Sequence, residues 1–484
     1  MRKFYITTAI DYVNDKPHLG HALEKVQADV IARYHRLKGD DVFFLTGTDE
    51  HGQKIARAAK GVEKEPQKFV DEVSEKFRSL KDALNLSYND FIRTSDKERH
   101  WPGAVNMWRE LMLAGAIYKK NYKGFYCVGH EAFITEKELI DGKCPDHGKE
   151  PEIIEEENYF FKLSEYGSRI KEKIESDEFQ IIPESRKNEI LSLIDRGLED
   201  ISFSRSAKNL EWGIPVPDDS DQVMYVWCDA LTNYLSAIGY GQNDDYKKWW
   251  PADVQVIGKD ILRFHAAIWP AMLLAAGLEL PQKLFVHGFI TVDGKKMSKT
   301  IGNVLDPVEF IEKLVQRGVP RESAIDALRY YLLREIPSTE DGDFSEEKFI
   351  ERYNADLANG LGNLVSRVMK MAGSFGAKLK KDEVGKIEGD ITNLQINEML
   401  LCFNFAHALE MIMGYFRQCD IYIQEKEPYK LEGEQGRFHV EYLMAALYRD
   451  IEFLEPFLPA TSKKIFDILE RGLEVKNPLF PRIS

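Results

Sequence analysis

The sequence predicts an α/β fold: a doubly wound, mostly parallel sheet, interrupted by an insertion and followed by an α-helical bundle. Three observations predict it. Apolar strand-like runs at 4–10, 42–46, 254–257 and 284–290 are separated by helix-period patterns, the alternation expected of an open parallel sheet. Between about 116 and 225 the text changes to short alternating segments with turn signals such as Asp141-Gly142-Lys143 and Pro215-Val216-Pro217-Asp218-Asp219. From about 349 onward helical periodicity dominates, with one loop expected from Gly376 to Asn393, where Lys, Asp and Gly accumulate.

A chain of 484 residues is long for one core and fits two to four domains. The pattern divides it into the first half of the sheet domain at 1–115, the insertion at 116–225, the second half at 226–290, a loop and contact region at 291–348, and the helical domain at 349–484. The longest apolar stretches, such as 266–280, are broken by Pro270 and fall short of the roughly 20 residues of a membrane span. Arg2-Lys3 leads straight into a strand rather than into a signal peptide, so a cytoplasmic location is expected. Cysteines 127, 144, 228, 402 and 419 show no disulfide framework. The formal charge of −15 weighs mildly against a nucleic-acid partner, but binding depends on the field of one face.

Taken in order, the run 4–10 is followed by Leu23, Val26, Val30, Tyr34 and Leu37 at helical spacing, which puts His18-Leu19-Gly20-His21 in a strand-to-helix turn. Backbone N–H groups and the positive end of a helix dipole attract phosphate there, and Gly20 would let a nucleotide base approach the backbone. His18 and His21 are three apart and project from one side, where they could donate to phosphates as charge moves onto a leaving group. A polar helix start explains an isolated motif of this kind equally well. The second candidate is Lys296-Met297-Ser298-Lys299-Thr300, between Gly294 and Gly302; taken alone it reads as a basic surface loop. Tyr12, His18, Asp49, Gly258, Asp260 and His287 fall at or just after strand ends, where ligands bind in such sheets. Within the insertion, Cys127-x2-His130 and, thirteen residues on, Cys144-x2-His147 have the spacing of a structural tetrahedral zinc site, against the alternative of unmetallated loop residues.

Together the two lysine- and histidine-bearing stretches resemble the HIGH and KMSKS signatures of class I aminoacyl-tRNA synthetases. The intervening text narrows the resemblance to the methionyl-tRNA synthetase family: Thr7-Thr8-Ala9-Ile10-Asp11-Tyr12, Phe44-Leu45-Thr46-Gly47-Thr48-Asp49-Glu50-His51-Gly52, Trp212-Gly213-Ile214-Pro215, Tyr225-Val226-Trp227-Cys228-Asp229-Ala230-Leu231, Gly258-Lys259-Asp260-Ile261 and Phe264-His265. The resemblance covers essentially the whole chain. It implies a Rossmann-like nucleotide-binding domain, a connective-peptide insertion with a zinc knuckle and a helical anticodon-binding domain. The implied reaction is ATP-dependent activation of methionine to methionyl-adenylate, releasing pyrophosphate, then transfer to the terminal adenosine of initiator and elongator tRNA, with Mg²⁺ accompanying ATP.

The resemblance also implies roles. Asp49 takes the substrate ammonium; Ile10, Tyr12, Trp227, Ala230, Leu231, Tyr234, Ile261, Phe264 and His265 line the methionine pocket. ATP contacts come from Tyr12, His18, Gly20, His21, Glu24, Gly258, Asp260, His287, Ile290 and Lys299, with Lys299, Lys296 and Ser298 serving the transition state. Asn363 and Arg367 match the anticodon-reading pair. The sequence departs from the family at Tyr429, where many relatives have tryptophan, and at His130, where cysteine is usual. A small nucleotidyltransferase would have no need of the insertion or the helical region, and a non-catalytic RNA-binding paralogue has no need of His18, His21, Lys296 and Lys299. Cysteine, leucine, isoleucine and valine enzymes share the signatures. A monomer is expected, since no additional tRNA-binding module is visible after the helical domain.

Overall fold

The structure is a computed structural model describing all residues except 129–131, 135–138, 146–147, 298–302 and 385–389. It forms two compact units: Met1–Lys16, Gly39–Ser79 and Tyr88–Val286 make the first, and Pro17–Lys38, Leu80–Ser87 and His287–Ser484 the second.

In the first unit, among the described residues, the spatial strand order is Asp11–Tyr12, Asp41–Asp49, Lys3–Thr8, Val254–Gly258, Lys283–His287 and Gln180–Ile182, with Asp90–Arg93 also pairing with Asp41–Asp49. The central pairings are parallel, as in Ile6 opposite Val254 and Ile6 opposite Phe44. Lys3–Thr8 buries every residue but its first and Val254–Gly258 buries all of its residues, as strands covered on both faces do. The run expected at 284–290 is two strands, Lys283–His287 and Ile290–Val292. They part at Gly288, where a Cβ would lie 2.2 Å from the Glu340 backbone, so only glycine permits that approach.

The stretch of short alternating segments at 116–225 includes antiparallel strands, chiefly Ile117–Cys127 against Glu152–Phe161. It also holds two helices, Gly167–Glu175 and Glu184–Asp195, and the strand Gln180–Ile182, which returns to the parallel sheet beside Lys283–Phe285.

In the second unit the helix Leu19–Leu37 is joined by Pro307–Gln316, Arg321–Arg334, Asn363–Phe375, Phe405–Lys426, Gly433–Leu454 and Pro459–Arg471. The expected loop at 376–393 contains the short helix Lys381–Val384, and the helix Asp390–Leu401 begins inside it. Arg329, fully buried, ties this unit together: it donates to Asp29 (2.9 Å) and to the carbonyls of Leu84 (3.0 Å), Pro456 (2.9 Å) and Phe457 (2.8 Å). Asp29 also accepts from Ser87 N (2.6 Å) and Arg33 Nε (2.7 Å). Burial alone would raise the Asp29 pKa, but the guanidiniums of Arg329 and Arg33 hold it below the usual carboxylate range. The helix bearing His18 and His21 is anchored by that cluster.

Candidate active site

The candidate residues fall into two groups, one in each unit. In the first unit, Asp49 ends its strand, Tyr12 pairs with it in register, and Val13 N donates to the Asp49 carbonyl at 3.2 Å. The chain after Asp49 is pinned residue by residue. Glu50 accepts from Arg93 Nε and Nη2 (2.8 and 2.9 Å) and from Thr48 Oγ1 (2.6 Å), and Gly52 N donates to the Trp212 carbonyl at 3.3 Å. Asp49 therefore stands at a strand end whose following residues are fixed by hydrogen bonds.

Facing groups come from 226–268. Trp227 and Phe264 stack at 3.7 Å between ring centroids, 9° from parallel, and His265 meets Trp227 edge-on at 6.3 Å. Phe264 and His265 open a π-helical segment, Phe264–Ile268, a local irregularity frequent at functional sites. His265 Nδ1 faces the Ile261 carbonyl (3.0 Å) and so must carry the proton; Nε2 then accepts from Tyr234 Oη at 2.7 Å. Both ring nitrogens are thus engaged, which fixes the orientation of the imidazole. Ile10, Tyr12, Trp227, Ile261 and Phe264 are only partly buried against the core, whereas Ala230, Leu231, Tyr234 and His265 are buried. Side chains that pack on one face and keep another open form the wall of a pocket. Gly258 ends its strand and Asp260, in the next turn, is exposed.

The second unit holds the candidates for phosphate binding. His18 is the N-cap of Leu19–Leu37: its Nδ1 accepts from Gly20 N (3.1 Å), while His18 N donates to His21 Nδ1 (3.1 Å). This reciprocal capping box has a chemical consequence, because each Nδ1 serves as an acceptor and each Nε2 must carry the proton. The rings stack with centroids 3.9 Å apart, 27° from parallel. Burial first, then His18, Lys25 and His287, push the His21 pKa well below its ordinary value, so it donates as a neutral ring. A Cβ on Gly20 would stand 2.9 Å from His18 Cε1, so the glycine lets the imidazole fold back over its own turn, where the sequence alone suggests room for a nucleotide.

Glu24, one turn on, meets His287 Nε2 at 3.2 Å, and His287 Nδ1 reaches the Gly288 carbonyl at 2.7 Å. Ile290 is buried in the adjoining strand. The two signature stretches come together here: Leu19 N donates to the Leu305 carbonyl at 3.1 Å, and Met297 Cε stands 4.0 Å from where a Gly20 Cβ would be. Lys296 lies in the short strand Lys295–Lys296, whereas Ser298 and Lys299 lie outside the described residues.

The family model for class I tRNA synthetases (M) matches residues 4–150 and 138–369. The chain belongs to the methionyl-tRNA synthetase family. It is 43% identical to the methionine–tRNA ligase of Caldanaerobacter subterraneus subsp. tengcongensis over 100% of this chain and 79% of that protein, and 42% identical to that of Thermotoga maritima over 96% and 75%. Among solved structures it resembles Mycobacterium tuberculosis methionyl-tRNA synthetase in complex with methionyl-adenylate, with a TM-score of 0.89, 36% identity and full coverage of both chains. As a methionyl-tRNA synthetase, the chain activates methionine with ATP and transfers it to tRNA.

The residues expected to read the anticodon lie in the second unit. Asn363 is exposed, and Arg367, one turn on, pairs with Asp420 at 2.7 Å. Burial raises the Asp420 pKa against the opposing pull of Arg367. Asp420 belongs to Phe405–Lys426, whose end leads into the turn carrying Tyr429, which is 54% exposed and so has an open ring face. Of the metal candidates, Cys127 and Cys144 are buried and His130 and His147 lie outside the described residues. Among the described residues no helix is long and apolar enough to cross a membrane.

Sequence reasoning assigns no role to the groups that hold Asp49 in place: Arg93 on Glu50, Trp212 on Gly52, and a trio of His51, Asp229 and His100. His51 and Asp229 stand within family motifs, but partners 129 and 178 residues apart leave no local signal.

Proposed function

We propose that methionine is held by the first-unit group and the ATP phosphates by the second-unit group. Asp49 receives the ammonium, and the thioether lies against Trp227 and Phe264, with Ile10, Tyr12, Ala230, Leu231, Tyr234, Ile261 and His265 completing the pocket. Polarizable sulfur packs well on aromatic rings. The observation that carries this reading is the stacked Trp227–Phe264 pair beside a histidine whose two nitrogens are both engaged. Tyr12, Gly258 and Asp260 receive the adenosine, Asp260 accepting from ribose hydroxyls. His18 and His21 donate from Nε2 to phosphate oxygens, with Gly20, Glu24, His287 and Ile290 shaping the turn around them. Lys299, Lys296 and Ser298 stabilise the charge that develops on pyrophosphate as the methionine carboxylate attacks the α-phosphorus.

Amino-acid-dependent ATP–pyrophosphate exchange tests the pocket. Methionine should drive exchange, while cysteine, leucine, isoleucine and valine should not; Trp227→Ala should raise the methionine KM by about 10-fold or more, as loss of an aromatic wall costs on the order of 1.5 kcal/mol. Equal exchange with leucine would overturn the assignment.

We further propose one structural Zn²⁺ in the insertion, held by Cys127, His130, Cys144 and His147. Both cysteines are buried. Cys144 sits in a tight turn in which its N donates to Lys149 O (2.9 Å) and Gly148 N donates back to its carbonyl (2.8 Å), with Gly148 at φ 63°, the kind of turn that gathers ligands three positions apart. When bound, the metal would brace a small module and take no part in the reaction. Protein purified without added zinc should hold one equivalent; well under one, with both thiols open to alkylation, would refute it. Asn363, Arg367 and Tyr429 read the anticodon of initiator and elongator tRNA, and the enzyme works as a cytoplasmic monomer whose domains follow the five-part division given above.

A further inference from the structure

A buried carboxylate that the reaction does not use lies beside the methionine pocket. Asp229 accepts from His51 Nδ1 and His100 Nε2, each at 2.6 Å, and His100 Nδ1 meets Ser236 Oγ at 2.8 Å. None of the four is more than 3% exposed. Each imidazole nitrogen that faces the carboxylate carries a proton, and Ser236 Oγ also reaches the Asn233 carbonyl at 3.4 Å. Burial would raise the Asp229 pKa, but the two imidazoles outweigh it and keep the group ionised.

The placement of these groups points to their use. His51 follows Asp49 by two residues, Asp229 lies between Trp227 and Ala230-Leu231, and Ser236 follows Tyr234 by two. His100 heads the helix Trp101–Leu113, a rigid element that lends no residue to the pocket. One negative charge therefore binds together the three chain segments that carry the ammonium acceptor and much of the pocket wall. A group of this kind is poorly suited to be mere filler, since apolar side chains of equal volume often replace buried ionic clusters at no cost in stability.

We propose that Asp229, acting through His51 and His100, is a positioning residue for methionine activation, setting where Asp49 stands relative to the aromatic wall and hence how tightly the substrate ammonium is held. The inference rests on the reading of Asp49 as ammonium acceptor. It extends to specificity, because amino acids are then discriminated by the spacing between charge and wall as well as by the wall itself.

Methionine-dependent pyrophosphate exchange on the full chain tests it, with melting temperature recorded for every variant. Asp229→Asn keeps the shape and removes the charge; the methionine KM should rise about 10-fold or more while the ATP KM stays within about twofold, the loss expected when a charged hydrogen bond is weakened. The comparison at His51 separates positioning from packing. His51→Asn places an amide N–H near Nδ1 and should recover most of the KM lost in His51→Ala, whereas His51→Gln, closer to histidine in volume but reaching too far, should not. In an Asp49→Asn background the effect of His51→Ala should largely vanish, because both changes act on one contact.

An unchanged methionine KM in Asp49→Asn would remove the underlying reading and the inference with it. If Asp49→Asn is impaired but the His51→Ala effect persists undiminished beside it, the inference alone fails. It also fails if His51→Gln outperforms His51→Asn. Should Asp229→Asn not fold, the His51 series and the double variant decide the matter.

Discussion

At the scale of single residues, the two histidines of the turn do structural and, on the proposed reading, chemical work with different nitrogens. His18 caps its helix through Nδ1, and Nε2–H is the proposed phosphate donor, so the two functions can be separated by substitution. Asparagine places an oxygen where Nδ1 stands and is among the best N-caps; glutamine extends an amide toward the Nε2 position but caps poorly. His18→Asn should therefore melt within about 1 kcal/mol of the parent yet lose roughly 10²–10³ in the rate of adenylate formation, the typical result of removing one transition-state donor. His18→Gln should show the reverse ordering, with measurable destabilisation and a smaller loss of rate. Single-turnover adenylation and thermal unfolding measured together check this, and parallel losses in both variants would mean that the cap and the donor are not distinct. The motif spacing makes a shared face legible, since residues three apart on a helix must lie together. It does not reveal the reciprocal cap, which requires His18 to sit outside the helix in extended backbone, at φ −134° and ψ 177°. The Gly20 result has the same origin, because only the folded turn shows that the imidazole occupies the space a side chain would need.

At the scale of elements, the buried charges around Arg329 decide how the helices of the second unit hold together. Asp326, one turn before Arg329, is fully buried; its Oδ2 accepts from Thr461 N at 2.6 Å, while Oδ1 has no hydrogen-bond partner among the described residues. Burial pushes its pKa up to about 6, even though Arg329 pulls the other way. A carboxyl that binds its proton more tightly when folded than the ordinary value near 3.8 is a group whose ionised form the fold disfavours. Folded protein then holds more protons than unfolded between about pH 4 and 6, so stability falls as pH rises through that window, and the penalty is complete above it. Asp326→Asn keeps the acceptor for Thr461 and removes the titration. Relative to the variant, the parent should lose about 1–1.5 kcal/mol between pH 5 and 7.5, since each tenfold difference in proton affinity between folded and unfolded chain is worth about 1.4 kcal/mol; urea unfolding at the two pH values measures it. A constant difference would show that the carboxyl titrates normally. The elements differ in legibility for similar reasons of context. Runs such as 42–46 and 254–257 can be read because strands covered on both faces are apolar almost throughout. Gln180–Ile182 cannot: it is three residues long, lies inside the insertion, and joins the sheet through Lys283–Phe285, about a hundred residues away. The break at Gly288 depends on the nearby backbone of Glu340, which local periodicity cannot register.

At the scale of the whole molecule, the reaction divides into steps that draw on different parts of the chain, and that division is testable. Pyrophosphate exchange needs methionine and ATP alone, whereas methionylation also needs the tRNA to be recognised. On the proposed reading, Arg367 belongs only to the second requirement. Its guanidinium is held by Asp420 at 2.7 Å and is 38% exposed, anchored on one side while open on the other, a posture suited to a splayed base. The overall charge of −15 gives no general attraction for a polyanion, so recognition must be concentrated in a few such groups rather than spread over the surface. Arg367→Ala should therefore lower kcat/KM for methionylation of tRNA carrying CAU by about 10- to 100-fold, corresponding to the roughly 1–3 kcal/mol typical of a stacked or bonded base, while leaving tRNA-free exchange unchanged. The same variant should also discriminate less between CAU and an anticodon altered at one base, because a lost reading contact penalises the correct base more than the wrong one. Steady-state methionylation with both tRNAs, set beside exchange assays on the same preparation, measures both effects. Loss of exchange activity in Arg367→Ala would show that the residue supports the fold of the second unit rather than the reading of RNA. Equal loss with both tRNAs would show that it grips the backbone without specifying sequence.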